Sequence, residues 1–325
     1  MLTAKSKLSS ISRSLSRYLA IAVITLSAAN VSYVYASSSS TIKKVEVTDS
    51  RGVHQLDQHP QRIVALNWDI TEQLLELGVT PIAMPDMAGY TEWVVKPALP
   101  DDIEDIGTRV EPNYEKIASL KPDLIMIASP QLDLLPQLER IAPVMFYQTY
   151  SGDHNNAEAA IENFRHIAKL VDKEAEADAR LAHIEQRFSE LKQQLETAYN
   201  GKLPKVATLR FASTTSVYLY GENAMSRFAL AKLGIDAAMP QPSNQWGVSQ
   251  KRITDLQQVG NGTVLYFLPF AQEEQLKKSV MWQAMPFVRQ HRVNSVNATW
   301  SYGGAMSILY IAEALTASLL EIAPE

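Results

Sequence analysis

The sequence predicts an α/β fold of two similar lobes joined by one long rigid helix, with a cleft between the lobes. Short apolar strands alternate with helical segments in both halves of the chain, and corresponding elements lie about 140 residues apart. Residues 172–199 hold no glycine or proline, and their apolar residues recur at steps of four and three. That spacing is typical of one amphipathic helix about 40 Å long. Because a single helical connector resists bending, we expect little hinge motion.

The elements of each half are predicted from apolar and β-branched runs separated by turn residues. In the first half they are a strand at 63–67, a helix at 70–79, a strand at 80–85, a helix at 114–120 and a buried strand at 124–129. In the second half they are a strand at 205–211, helices at 223–235 and 252–259, strands at 263–268 and 291–298, and a helix at 305–320. The similar alternation indicates a weak internal duplication of one α/β unit.

The first 36 residues have the pattern of a secretory signal peptide. Four basic residues and no acid occupy positions 1–17, and an apolar segment at 18–36 ends in Ala36. The alternative is a membrane anchor, but Ser27 and Asn30 interrupt the apolar segment. We therefore expect cleavage after Ala36. The parts predicted beyond it are an N-terminal lobe at 37–155, connecting helices at 156–200 and a C-terminal lobe at 201–325.

The composition limits the cellular compartment and the partners that we expect for the exported chain. The sequence contains no cysteine, so it forms no disulfide, and it lacks the cysteine that carries the lipid of many exported bacterial proteins. We expect a soluble, unlipidated, monomeric protein in the periplasm. The net charge of −5 becomes more negative once the basic leader is removed, which argues against nucleic acid and anionic membranes as partners.

The sequence offers no pattern typical of catalysis or of metal binding. Six histidines are scattered, and none forms a pair with the spacing of a metal site on one element. The chain has no glycine-rich phosphate loop, no nucleophile elbow and no cysteine nucleophile. Its carboxylates lie mostly on predicted helices, where a solvated face is the ordinary explanation. We therefore expect no enzymatic activity, no cofactor and no metal ligand from the protein.

Large aromatic residues mark the predicted ends of strands and loops in both halves. Each one alone is better explained by packing. Together they indicate an aromatic-walled cleft for a bulky, partly apolar ligand, because α/β sheets bind ligands beyond the carboxyl ends of their strands. We expect Gly303 and Gly304 to let the last helix start close to that ligand. The candidate contacts are Trp68, Tyr90, Trp93, Trp246, Trp300 and Tyr302.

Two arginines accompany these aromatic residues as candidate ligand contacts. Arg109 lies in a loop before a helix, and Arg210 ends an otherwise apolar strand. A buried arginine needs an acceptor, which a ligand would supply. For Arg210 an internal ion pair is an equally good explanation.

The order of the motifs resembles the periplasmic siderophore- and cobalamin-type substrate-binding proteins of ABC importers. Within that family the chain looks most like the ferric-hydroxamate (ferrichrome) binding branch, to which "WQAMPFVR" and "TEWVVKPALP" are fairly specific. The motif "LKPDLI" is shared by the whole family and discriminates little. The matching segments span residues 62–304 and are "RIVALNW", "GYTEWVVKPALP", "IGTRVEPNYEKIASLKPDLI", "ARLAHIEQRF", "NQWGVS", "WQAMPFVR" and "ATWSYGG".

The resemblance implies two α/β lobes, a rigid backbone helix and a shallow aromatic cleft. It implies that Arg109 hydrogen-bonds the hydroxamate oxygens around Fe(III). One position departs from the pattern: after the strand at 124–129 the ferrichrome binders have a tyrosine, whereas this chain reads "PQLD". Arg210 and Tyr90 are the candidate replacements. The residues that match the family's aromatic wall are Trp93, Trp246, Trp300 and Tyr302.

The composition agrees with that ligand class on chemical grounds. In a trihydroxamate complex the oxygens are already committed to the iron, so the protein needs no metal ligand. It needs one or two donors for the outer lone pairs of those oxygens, and apolar walls for the siderophore backbone. A tricatecholate complex is strongly anionic and would need a basic cluster. The expected function is therefore capture of a ferric hydroxamate for an inner-membrane ABC importer.

Two alternative functions stay open at the level of the sequence. One is binding of haem, cobalamin or another siderophore class. Haem usually takes a His or Tyr axial ligand, and Tyr90 or Tyr302 would qualify. The other is an exported hydrolase with an aromatic cleft, which needs two opposed carboxylates beside the aromatics. Only Asp69 and Glu92 lie within two residues of a candidate aromatic.

The resemblance also implies a permease contact on each lobe, because importers of this family hold one acidic residue of each lobe with arginines. Glu115 matches the position in the first lobe, at the start of a helix, where a helix-dipole contact is an equal explanation. In the second lobe Lys251 stands where an acid is expected. Asp255, four residues on and one helical turn away, is the candidate replacement.

Overall fold

Two five-stranded sheets form the frame of the protein in a computed structural model that describes residues 44–324. The predicted signal peptide, residues 1–36, lies outside the described residues. The strands are β1 Val45–Asp49, β2 Gly52–Leu56, β3 Ile63–Ala65, β4 Ala83–Met84, β5 Glu104–Asp105, β6 Leu124–Ile127, β7 Val144–Phe146, β8 Val206–Phe211, β9 Ser216–Tyr220, β10 Val248–Arg252, β11 Thr263–Phe267 and β12 Val293–Val296. The helices are α1 Trp68–Glu76, α2 Met87–Trp93, α3 Tyr114–Ser119, α4 Leu135–Leu138, α5 Asn156–Leu170, α6 Glu174–Ala198, α7 Met225–Lys232, α8 Glu273–Lys278, α9 Val280–Gln283, α10 Pro286–Arg289 and α11 Ala305–Leu320. Two 3-10 helices span Ser129–Leu134 and Ile253–Val259.

The sheet of the N-terminal lobe is wholly parallel, in the order β5-β4-β3-β6-β7. Its central strands β3 and β6 are fully buried and consist of Ile, Val, Leu, Met and Ala, as expected for strands covered on both faces. Parallel neighbours need crossover connections, so helices separate most of these strands along the chain. β1 and β2 form a separate antiparallel hairpin that packs on this lobe through Val47.

The sheet of the C-terminal lobe repeats that strand order as β10-β9-β8-β11-β12. β8, β11 and β12 are parallel, whereas β9 runs antiparallel to both of its neighbours. The matching orders confirm the predicted α/β fold of two similar lobes.

The sequence prediction missed β9 and β10. It placed helical segments on both sides of Trp246, but that residue lies in a turn that leads directly into β10. β10 reads Val-Ser-Gln-Lys-Arg and is an edge strand without a buried residue, so it has no apolar run to reveal it. The predicted helix at 252–259 is the 3-10 helix that follows β10.

The long helix predicted at 172–199 is α6, and it packs on both lobes. Ala177 lies in the core of the N-terminal lobe, whereas Ile184 and Leu195 lie in the core of the C-terminal lobe. α5 and α11 are divided between the two cores in the same way. Three helices thus pack in the cores of both lobes. The predicted lobe boundaries at 155 and 200 stay predictions. Among the described residues, no helix is both long and apolar enough to cross a membrane.

A carboxylate of the N-terminal lobe caps α11. Glu72 on α1 accepts hydrogen bonds from the backbone N–H of Gly304 (3.1 Å), the backbone N–H of Ser307 (2.9 Å) and the Ser307 hydroxyl (2.7 Å). A Cβ at Gly303 would collide with the Ser307 side chain of α11 and with Glu72, and one at Gly304 would collide with Gln73. The glycine pair makes room for α1 and for the Ser307 side chain, and the expectation that it lets the last helix start close to a ligand stays a prediction.

Candidate functional site

A cavity of about 610 Å³, here called the main compartment, lies between the lobes beyond the carboxyl ends of strands from both sheets. A smaller cavity of about 190 Å³, the side compartment, adjoins it. Both compartments border on Arg109, Arg210, Trp300 and Tyr302. The two cavities together occupy the predicted cleft, and each is lined by residues of both lobes.

A continuous chain of aromatic rings crosses from one lobe to the other along the cleft. The ring centroids are 5.1 Å apart for Trp68 and Trp300, 5.6 Å for Trp300 and Tyr302, and 5.4 Å for Tyr302 and Tyr150. Trp246 continues the chain, 6.4 Å from Tyr150 and 41% exposed. Aromatic pairs at such distances stabilise one another, so the wall is preformed.

Arg109 lies in the loop between β5 and α3, and the N-terminal lobe holds it by three contacts. Its guanidinium carbon lies 3.6 Å from the centroid of the Trp68 ring, a cation–π contact. Its Nε lies 4.0 Å from a carboxylate oxygen of Asp86. Its backbone carbonyl accepts a hydrogen bond from Nε2 of Gln131 at 3.1 Å. Burial lowers the pKa of Arg109, while Asp86 and Asp69 oppose that shift.

Gln131, which no sequence pattern singled out, lies in the "PQLD" segment, where the family resemblance predicts a tyrosine. The side chain is fully buried and borders the main compartment. Its Oε1 accepts hydrogen bonds from Nδ2 of Asn67 (3.0 Å) and from the backbone N–H of Ala128 (3.3 Å). Gln131 therefore connects the ends of β3 and β6 to the Arg109 loop. A polar residue in the first turn beyond a buried strand was the available signal.

Arg210 lies within β8 and faces both compartments. It pairs in register with Tyr218 on the antiparallel strand β9, and its guanidinium carbon lies 4.6 Å from that ring. In the described part of the chain, no carboxylate forms an ion pair with Arg210, and its buried Nε has no hydrogen-bond partner. The structure therefore contains no internal ion pair for this arginine, one of the two explanations that the sequence left open.

Two carboxylates, Asp69 and Asp86, line the main compartment, and both lie close enough to Arg109 to act on its charge. Burial raises the pKa of Asp69 to about 7, although hydrogen bonds from Ile70 and Thr149 oppose that shift. Glu92, the other acid considered for a hydrolase, borders neither compartment. No group of three His, Cys, Asp or Glu residues that could hold a metal ion occurs within residues 44–324.

The remaining sequence candidates occupy different places. Trp68 is buried beneath Arg109 and borders the side compartment, as does Trp93 at the end of α2. Tyr90 is 1% exposed, and its hydroxyl donates to the carbonyl of Pro97. Because Tyr90 packs in the lobe core and borders neither compartment, its prediction as a ligand contact or tyrosine replacement is wrong.

The two candidate docking acids lie outside the cleft. Glu115 is exposed in the first turn of α3. Lys251 lies on strand β10, so Asp255 is not one helical turn away from it, as the sequence suggested. Asp255 lies in the following 3-10 helix and accepts hydrogen bonds from the backbone and the side chain of Arg252. Those bonds lower the pKa of Asp255.

Comparison with known proteins places the chain in a family. The iron(3+)-hydroxamate-binding protein FhuD of Escherichia coli K12 is 31% identical over 258 residues, which cover 79% of this chain and 86% of that protein. The crystal structure of the siderophore-binding protein FhuD from Vibrio cholerae with bound Fe3+-Desferal has 54% sequence identity and a TM-score of 0.81. That comparison covers 82% of this chain and 100% of that chain. The Fe(3+) dicitrate-binding periplasmic protein FecB of E. coli K12 is 27% identical over 292 residues, which cover 85% of this chain and 89% of that protein. The sequence profile of the periplasmic binding proteins matches residues 63–298, and the chain belongs to that family.

Proposed function

We propose that the protein captures a ferric hydroxamate siderophore in the periplasm and delivers it to an inner-membrane ABC importer. The observation that carries the proposal is the pair of arginines, one from each lobe, that face one aromatic-walled cavity. Arg109 and Arg210 donate hydrogen bonds to the outer lone pairs of the iron-bound oxygens. Trp246, Trp300 and Tyr302 pack on the siderophore backbone.

The charge of the main compartment selects among siderophore classes. Asp86 offsets the charge of Arg109, and the raised pKa of Asp69 leaves that carboxyl partly protonated near neutral pH. The compartment is therefore only weakly positive, which suits a neutral ferric trihydroxamate better than a strongly anionic tricatecholate. The names of the two FhuD relatives, which bind iron(3+)-hydroxamate and Fe3+-Desferal, support the same ligand class.

The protein acts on this ligand by binding alone. The siderophore supplies the donors for Fe(III), so the protein contributes hydrogen-bond donors and apolar surface, with no metal ligand, cofactor or chemical step. We propose that the mature protein is monomeric, is not lipidated and is free in the periplasm after removal of residues 1–36.

Selectivity within the hydroxamates follows from Gln131. Its amide is engaged with Asn67, Ala128 and the Arg109 carbonyl, so it offers the ligand no hydroxyl of the kind that a tyrosine would. The cleft then depends on apolar shape, and it should accept several ferric hydroxamates.

Tryptophan fluorescence of the mature protein tests the ligand class. Trp68, Trp93, Trp246 and Trp300 border the compartments or Arg109, whereas Trp282 is buried in the core of the C-terminal lobe and gives an internal reference. Ferrichrome-like, ferrioxamine-like and coprogen-like complexes should quench the cleft indoles at low concentration. Iron-free Desferal should quench far less. A clear preference for a ferric tricatecholate, or for haem, would refute the assignment.

The permease contact is proposed at Glu115 and Asp255. Each lies in the first turn of the short helix that follows the edge strand of its sheet, β5 or β10, and precedes the central strand, β6 or β11. The two acids therefore occupy equivalent places on the two lobes. Such a pair suits a permease that holds one carboxylate on each lobe with arginines.

A further inference from the structure

The side compartment is an aromatic slot that the iron-binding proposal does not use. It begins at the four residues shared with the main compartment and continues between the lobes. Beyond that boundary its walls are mostly aromatic and aliphatic. Its other lining residues are Trp68, Trp93, Phe211, Tyr220, Phe267, Leu268, Pro269, Thr299 and Ser301. A slot of about 190 Å³ is too small for an iron complex, but it has room for a short chain of atoms.

Two buried N–H donors at the boundary have no acceptor. Nε1 of Trp300 and Nε of Arg210 are both inaccessible to solvent, and neither has a hydrogen-bond partner in the described chain. Buried donors are rarely left unpaired, because each loses its bonds to water without gaining a replacement. Three hydroxyls of the slot are engaged: Ser301 accepts from the Tyr220 hydroxyl, Thr299 donates to the carbonyl of Asn297, and the Tyr302 hydroxyl interacts with the Arg210 side chain.

The charge of the side compartment is positive. Among the described residues, those that line it include Arg109 and Arg210 but no carboxylate. A cationic group would therefore be repelled from the slot, and an apolar group without an acceptor would leave both N–H donors unpaired. A neutral, apolar chain that carries a carbonyl oxygen satisfies both conditions.

We propose that the side compartment binds a neutral, carbonyl-bearing arm of the siderophore, and that its entry turns the Trp300 and Arg210 side chains so that their covered N–H groups donate to its carbonyl. This inference rests on the proposed function and specifies which hydroxamates the protein prefers. Complexes with an amide or acyl arm bind more tightly than complexes with the same iron core and an ammonium arm.

Ferric Desferal and its N-acetyl derivative provide a matched pair of ligands. They share one iron–hydroxamate core, and acetylation replaces the terminal ammonium by a neutral amide. We expect the wild type to bind the acetylated complex roughly tenfold more tightly, measured by fluorescence quenching or calorimetry. The informative quantity is the ratio of the two dissociation constants, because effects on the iron core cancel.

Thr299→Trp fills the slot with an indole, since Thr299 borders the side compartment but not the main one. The affinity ratio should fall to about one. Asn297→Trp is the matched control, because Asn297 is exposed on the same loop and borders neither compartment. That variant should keep the wild-type ratio. Trp300→Phe retains a ring but removes the N–H, so it should also reduce the ratio, and it gives a second measurement if Thr299→Trp fails to fold.

Three results would overturn the inference. One is a wild-type ratio near one, and another is a wild-type preference for the ammonium arm. The third is a preference for the acetylated complex that survives both Thr299→Trp and Trp300→Phe. Failure of the wild type to bind either complex would refute the proposed function as well, so the two failures are distinguishable.

Discussion

The two lobes have the same strand order but present their arginines in different ways. In the N-terminal lobe all strands are parallel, and Arg109 comes from a loop beyond the edge strand β5. In the C-terminal lobe β9 is reversed, and Arg210 comes from within β8 opposite Tyr218. A reversed strand can pair directly after a short turn, so an aromatic partner is placed across from the arginine by register alone.

The difference also concerns charge. Arg109 has a carboxylate partner in Asp86, and its backbone is held by Gln131. Arg210 has a ring beside it and, within the described chain, no ion pair. A carboxylate compensates the charge of the first arginine before any ligand arrives, whereas the second has only the ring of Tyr218 and the hydroxyl of Tyr302 beside it. Two lobes with the same strand order thus offer the ligand two different donors. Arg109 is the balanced donor, because Asp86 offsets its charge, and Arg210 is the unbalanced donor, because no described carboxylate pairs with it.

The largest expected effect concerns the acidic residues on the outer faces of the two lobes. Glu115→Lys should abolish growth on a ferric hydroxamate as the iron source while leaving binding in solution intact, because the arginines proposed on the permease would meet a cation. Asp255→Lys should act in the same way but more weakly, since Arg252 already engages that carboxylate. Lys251→Glu is the charge-change control and should not impair growth. Normal growth of the Glu115 variant would remove the docking assignment while leaving the ligand assignment in place.

Arg109→Ala tests the balanced donor. We expect ferric hydroxamate binding to weaken by about 1.5–3 kcal/mol, the size of a charge-assisted hydrogen bond. Thermal stability should fall slightly, because Asp69 and Asp86 lose the cation beside them. Calorimetric titration and a thermal melt measure the two effects. Unchanged affinity for every ferric siderophore would show that Arg109 is not a ligand contact.

Arg210→Met tests the unbalanced donor. Its effect on thermal stability should have the opposite sign to that of Arg109→Ala. Binding should weaken by roughly 1–2 kcal/mol. The melting temperature of the ligand-free variant should rise by about 2 °C, because a buried donor without a partner is removed. A lower melting temperature would indicate that the contact with Tyr218 outweighs the unpaired Nε.

The smallest expected effect on binding concerns Glu72, the carboxylate by which one lobe caps a helix of the other. Burial raises the pKa of Glu72 to about 8, although hydrogen bonds from Ser307 and Gly304 oppose that shift. A carboxyl with a raised folded-state pKa destabilises the fold as the pH rises from its unfolded pKa through its folded pKa. Glu72→Gln removes this titration. The melting temperature of the variant, relative to the wild type, should therefore rise by a few degrees between about pH 5 and about pH 8. An unchanged difference in melting temperature over that range would mean that the three donors keep Glu72 ionised in the folded protein.

The sequence predicts the elements whose buried residues form an apolar run or recur at a regular spacing. The apolar spacing of α6 and the runs of β6 and β11 mark buried surfaces, and the structure contains all three near their predicted positions. β10 was not predicted, because an edge strand of mostly polar residues has no apolar run or regular apolar spacing. The misassignment of Tyr90 has a related cause, since a tyrosine whose hydroxyl binds a backbone carbonyl cannot be told from a cleft tyrosine by sequence. Gln131 was missed because its role depends on Asn67 and Arg109, two partners distant in sequence that only folding brings together.

The sharing of α5, α6 and α11 between the two cores has a consequence for transport kinetics. Lobes that are joined by common packing have little freedom to open, so the outer faces of the empty and the loaded protein should be nearly alike. A permease that contacts only those outer faces cannot distinguish the ligand-free protein from the loaded protein. We therefore expect ligand-free protein to act as a competitive inhibitor of uptake. Raising its periplasmic amount beyond the siderophore supply should then slow iron import instead of speeding it.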